Sequence, residues 1–147
     1  MGILNYTTDV PSEKSIAEIQ KILARFDVSA IMTEYDGPHV AGLSFKIMLQ
    51  GKPRGFRLPC NWKAVHELMY KSKRDALNST QANNRREQAI RVTWRVLKDW
   101  VEAQLALIEI NAVTVQQIFL PYAIMHDGRT LAEHVESDPS FLLGPGN

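Results

Sequence analysis

The stretch VSAIMTEYDGPHVAGLSFKIMLQGKPRGFRL, residues 28–58, decides the fold. It holds three runs of strand-forming residues separated by two turn signals. The first run, 28–35, is rich in β-branched residues and alternates through Ile31, Thr33 and Tyr35. Asp36-Gly37-Pro38 then supplies turn chemistry, because Gly permits positive φ and Pro fixes its own. The second run, 40–49, sets Leu43, Phe45, Ile47 and Leu49 against Ser44, Lys46 and Met48. Gln50-Gly51-Lys52-Pro53 turns the chain again, and 55–58 makes a short third strand. The pattern predicts a three-stranded antiparallel meander with one buried face.

Helices flank this sheet on both sides. Residues 1–11 read as an extended lead-in ending at Pro11, after which Ser12 makes a good N-cap for a helix running to about Phe26. Ile16, Ile19, Ile22, Leu23 and Phe26 recur there at helical spacing. Beyond Pro59, Trp62, Val65, Leu68 and Met69 give one apolar stripe, which predicts a helix over 61–70. The polar segment 72–84 reads as a loop. Residues 85–110 make the longest element, with Ile90, Trp94, Leu97, Val101, Leu105 and Ile108 spaced by threes and fours and other apolar residues widening the stripe. So broad an apolar arc suits a long central helix packed on the sheet. Residues 113–122 suggest a strand or an extended segment closing at Pro121, and a short helix is expected at about 130–135. The result is an α+β domain spanning 1–137, helices covering one face of the sheet. The Gly/Pro-rich segment 138–147 is expected to be a disordered tail.

A chain of 147 residues with 45% hydrophobic and 22% charged residues is ordinary for a globular domain and long enough to bury a real core. Its apolar runs are too short and too interrupted by charge to span a bilayer, so no membrane partner is expected. The N-terminus lacks the basic start and apolar core of a signal peptide, and Cys60 is the sole cysteine. A reduced, cytoplasmic setting with no disulfide, metal or cofactor follows as the expectation.

Charge is spread unevenly beneath a formal total of +1. Between residues 63 and 98 nine Lys or Arg face only Glu67, Asp75 and Glu87, whereas from residue 99 onward Arg129 stands alone against seven acids. At 100° per residue Arg91, Arg95 and Lys98 share one side of the long helix, opposite much of its apolar stripe. A basic middle of this kind suits a polyanion, DNA or RNA. The expected phosphate contacts are Lys52, Arg54, Lys71, Lys73, Arg74, Arg85, Arg86, Arg91 and Arg95. Pairs at i, i+4, Arg95–Asp99 and Lys98–Glu102, would mute the lower half of the ridge. Trp62, Tyr70 and Trp94 flank the basic region and offer rings for base stacking, although Trp94 and Trp100 fit the apolar stripe better.

The first five predicted elements follow an α-β-β-β-α order, with Gly37-Pro38-His39 between the first two strands. In this order and this loop the chain resembles the double-stranded RNA-binding domain over residues 12–70. The resemblance implies a loop that enters the RNA minor groove and reads shape and 2′-hydroxyls. It departs from that family in having one residue fewer between Pro and His, and in opening its last helix with Asn61-Trp62-Lys63-Ala64 rather than a lysine cluster. Residues 1–6, 30–35 and 94–104 also resemble small bacteriophage and prophage proteins of unassigned activity. That resemblance implies a mobile-element setting and supplies no catalytic residue.

Other chemistry is sparse. Cys60 lies near a helix start, where backbone N–H groups lower a thiol pKa, yet it has no recognisable base partner. His39, His66, His126 and His134 are widely separated, and only His126-Asp127 with Glu133-His134 brings ligand-type residues near each other in sequence. No Gly-rich phosphate loop or zinc pattern is present. The leading expectation is a small non-enzymatic protein that binds nucleic acid or a nucleic-acid–protein complex. A protein-interaction module, either an inhibitor of a host enzyme or a homodimer subunit, is the alternative. A pocket between the sheet and the long helix, with His126, Asp127, Glu133 and His134 as suspects, ranks third.

Overall fold

Two tight turns set the sheet. In the computed structural model, which describes residues 3–71, 76–142 and 144, strands β1 (Val28–Asp36), β2 (His39–Leu49) and β3 (Lys52–Arg57) form an antiparallel meander in the order β1-β2-β3. Gly37 holds φ +62 ahead of Pro38, and the pair Gln50-Gly51 holds φ +52 and +77. Positive φ at both central residues gives the second turn the twist that matches its strands. Register follows, with Leu49 opposite Lys52 and Asp36 opposite His39. β3 begins earlier than 55 and takes Pro53 into the strand opposite Met48, which an edge strand tolerates.

The chain is α+β, with helices α1 (Ser12–Ala24), α2 (Trp62–Tyr70), α3 (Ser79–Glu109), α4 (Val115–Phe119) and α5 (Leu131–Ser137). It divides into two compact units, one of Met1–Leu23 with Cys60–Leu105, the other of Ala24–Pro59 with Ala106–Asn147.

In the helical unit the core consists of Ile16, Ile19 and Leu23 from α1 with Ile90, Val92, Trp94, Leu97, Val101 and Leu105 from α3. α1 takes Ser12 as its first residue, because the Pro11 carbonyl accepts from the Lys14 and Ser15 amides. α3 starts earlier than its apolar pattern does. Residues 79–84, expected as loop, are helical because Asn78 Oδ1 accepts from Gln81 N at 2.8 Å while Gln81 Oε1 accepts from Asn78 N at 3.2 Å. This reciprocal pairing satisfies two of the donors that a helix start leaves open. α3 ends at Glu109 and is closed off by Asn111, φ +60, where the amides of Asn111 and Ala112 return to the carbonyls of Ile108 and Leu107.

In the sheet unit Leu43, Phe45 and Ile47 of β2 and Phe56 of β3 face one way and are buried. Phe119 of α4 meets Phe45 edge-on at 5.2 Å and Phe56 at 6.3 Å between ring centroids. Residues 113–122 are thus helical rather than extended: α4 followed by a 3₁₀ turn, Leu120–Tyr122. Thr114 and Gln117 form a capping box whose hydrogen bonds outweigh the β-branched run 113–115. The only strand-like pairings after α4 among the described residues are the isolated bridges Phe56–Ala123 and Ile124–Thr130. Gly55 permits this edge contact, since a Cβ there would stand 3.3 Å from Ile124 Cδ1.

The opposite face of the sheet departs from simple alternation. Lys46 and Met48 are exposed as expected, but Ser44 is 5% exposed. It sits between Met32 and Arg57 across the strands, with its Oγ unpartnered among the described residues. A register shift between Glu34 and Tyr35 ends the alternation in β1 and leaves Tyr35 68% exposed. A buried hydroxyl without a partner carries its desolvation cost uncompensated. Ser44→Ala should therefore be neutral or stabilise the fold by up to about 1 kcal/mol, read from urea midpoints. A clear loss of stability would show that the hydroxyl is bonded in solution.

Candidate nucleic-acid interface

α2 buries none of its residues, and its rings stand one turn apart. Trp62 meets His66 at 6.2 Å and His66 meets Tyr70 at 5.2 Å between centroids, a ladder at i, i+4 spacing. Asn61 fixes the start of this helix by accepting from the Ala64 amide at 3.2 Å. From α3 the Arg85 guanidinium lies over the Tyr70 ring, 4.9 Å from its centroid. All four side chains are half-buried. Lys63 on α2, Lys71 at its C-cap and Arg86 on α3 are exposed. Rings beside cations are the two ingredients of a single-strand site: stacking surface for bases and charge for phosphates.

The lower part of the basic ridge has a different fate. Arg95 is 15% exposed and donates to Glu18 Oε2 at 2.9 Å and Ser15 Oγ at 3.3 Å. Lys98, 16% exposed, is surrounded by Glu18, Asp99 and Glu102. The pair Lys98–Glu102 is the one expected from i, i+4 spacing, whereas Arg95 turns to α1 and Asp99 accepts from Asn5 Nδ2 at 2.8 Å. Arg91 donates to Gln88 Oε1 at 2.9 and 2.6 Å and lies 4.0 Å from Glu87. Arg95 and Lys98 tie α3 to α1 through Glu18, whereas Arg91 pairs within α3. Arg86 donates to Asn83 Oδ1 at 2.6 Å on an exposed turn.

Lys52 and Arg54 are exposed on β3 and belong to the sheet unit. Lys73 and Arg74 lie outside the described residues. The helical unit carries eleven Lys or Arg against eight Asp or Glu, a formal +3, and the sheet unit six against eight, −2. Partition by unit therefore preserves the positive sign around α2 and α3. Of the aromatics, Trp94 is 1% exposed and serves the core. His66, which joins Trp62 to Tyr70, escapes notice in the sequence, although Trp-x₃-His-x₃-Tyr on a helix is the signal that reveals it.

No family model, curated protein or solved structure matches the chain. Chemistry must be read from the residues alone.

Burial pushes the Cys60 thiol up to about 12, opposite to what a thiolate nucleophile needs. His134 Nε2 stands 3.0 Å from Asp127 Oδ1, and Asp127 Oδ1 also accepts from the Arg129 amide at 3.0 Å, so the pair braces the loop onto α5. Glu133 closes the α5 capping box with Thr130 and approaches Arg57 and Arg129. Among the described residues no cluster of three His, Cys, Asp or Glu is placed to hold a metal ion, and no helix is long and apolar enough to cross a membrane.

The bond to His134, followed by that to the Arg129 amide, holds the Asp127 carboxyl below its ordinary value. A carboxylate with a depressed folded-state pKa contributes stability above its unfolded pKa and loses it as pH falls through the folded one. Asp127→Asn should accordingly shrink the drop in melting temperature between pH 6 and about pH 3. An unchanged drop would show that the pair does not form in solution.

Proposed function

We propose that the protein is a non-enzymatic nucleic-acid-binding protein that holds a single strand along α2 and the first turns of α3. The observation that carries this is the Trp62–His66–Tyr70 ladder with the Arg85 guanidinium set over its last ring. Lys63, Lys71, Arg85 and Arg86 are the phosphate partners, and the rings are the stacking platform. Arg95 supports the site by anchoring α3 to α1, and the resemblance to phage proteins supports a mobile-element setting. Such binding tolerates sequence variation, because every base has a face to stack and every nucleotide a phosphate.

Fluorescence anisotropy with labelled single- and double-stranded DNA and RNA, run from low to physiological salt, tests this. With about four phosphate contacts the logarithm of affinity for a single strand should fall with log salt at a slope of about −3. Lys71→Ala with Arg86→Ala should reduce that slope by about 1.4, leaving sequence preference unchanged. Preference for duplex RNA would instead favour the groove-reading mode implied by the α-β-β-β-α order. Absence of binding at low salt would overturn the assignment and direct attention to a protein partner.

A further inference from the structure

A second site lies within the sheet unit. Between β3, α4 and the segment 123–126 a cleft of about 610 Å³ is walled by Leu49, Phe56, Leu120 and Ile124. Its volume falls within the range of about 300–1,000 Å³ typical of small-molecule sites. Only two ionisable side chains line it, Arg54 and His126, with the Gln116 amide as a further polar group. Neither the Arg54 side chain nor the His126 side chain makes a hydrogen bond or ion pair with any described residue. By contrast Arg57, on the same strand, donates to the Gly128 carbonyl and lies near Glu34 and Glu133. The wall is already shaped, because Ile124 N donates to the Gly55 carbonyl at 2.9 Å and Ile124 bridges to Thr130.

We propose that this cleft binds a small apolar molecule carrying a single carboxylate. The apolar walls take the hydrocarbon part, and the Arg54 fork takes the two carboxylate oxygens. One guanidinium matches one negative charge, whereas a phosphate dianion would keep part of its charge uncompensated. His126 and Gln116 supply further hydrogen bonds at the polar end.

Amide NMR shifts during titration with octanoate, and separately with octan-1-ol, test the proposal. Octanoate should bind saturably with one site, moving the amides of Arg54, Gly55, Ile124 and His126, and should bind at least fivefold more tightly than the alcohol. Arg54→Gln should weaken octanoate about tenfold and leave the alcohol unchanged, since it removes one charge-assisted contact. Leu120→Trp, at a half-exposed wall position, should abolish binding of both. Shifts that never saturate or that scatter over the surface would overturn the assignment. An octanoate-to-alcohol ratio unaltered by Arg54→Gln would overturn it equally.

Discussion

Truncating both outer rings of the α2 ladder, as Trp62→Ala with Tyr70→Ala, is expected to weaken single-strand binding by roughly 30-fold or more. A base stacked on an aromatic side chain contributes about 1–3 kcal/mol, so two such contacts give at least that factor. The fold should survive, because α2 contributes no fully buried residue to either unit. Thermal unfolding of the double variant checks this. Ring loss and charge loss leave different signatures. Removing rings lowers affinity at every salt concentration without altering the slope, whereas removing Lys71 and Arg86 flattens the slope. Tyr70→Phe keeps the face for stacking and should bind as the parent does. If the double alanine variant binds unchanged, the ladder is only a packing device, and the cations alone would have to account for any binding.

The largest effect on stability is expected at Phe119. Its ring is 1% exposed and packs edge-on against Phe45, 5.2 Å away, in contact with the stack that Phe45 and Phe56 form at 5.5 Å. Phe119→Ala leaves a hole that three elements must close, at a cost of about 3–5 kcal/mol. Edge-to-face pairing adds about 0.5–1.5 kcal/mol for each ring pair beyond the area buried. Domains of this size are stable by only about 5–15 kcal/mol, so the variant should lose a large share of its margin. Urea unfolding should show a lower midpoint, with Tyr35→Ala, 68% exposed, as a control that moves little. A shift below about 1 kcal/mol would mean that α4 does not dock in solution as described here.

Capping boxes explain where local patterns misled. Thr114-x-x-Gln117 and Thr130-x-x-Glu133 have the same form, yet only the second stands out against its surroundings. Val113, Thr114 and Val115 carry strand propensity, and a five-residue helix is too short for its apolar period to register. Asn78-x-x-Gln81 was legible in the same way, but the polar, Asn-rich composition of 78–84 pointed to loop. In each case two side-chain hydrogen bonds at a helix start decided against weak propensities.

What the amino-acid order determined by itself is the local architecture. The meander follows from two turn sequences and a period of two, and α1, α2 and most of α3 follow from apolar spacing, because these signals act over a few residues. Placement of the capped turns needed closer reading but remained local. Charge behaved differently. The excess between residues 63 and 98 is visible in the chain, but which cations are spent was decided by tertiary structure. Glu18 lies far away in sequence and neutralises Arg95 and Lys98 from α1, while Lys63 and Arg86 remain exposed. The cleft is likewise tertiary, since Arg54 and His126 line one wall only after α4 docks beside β3. Side-chain pairing and cavity shape depend on contacts between distant segments, and no period within a segment encodes them.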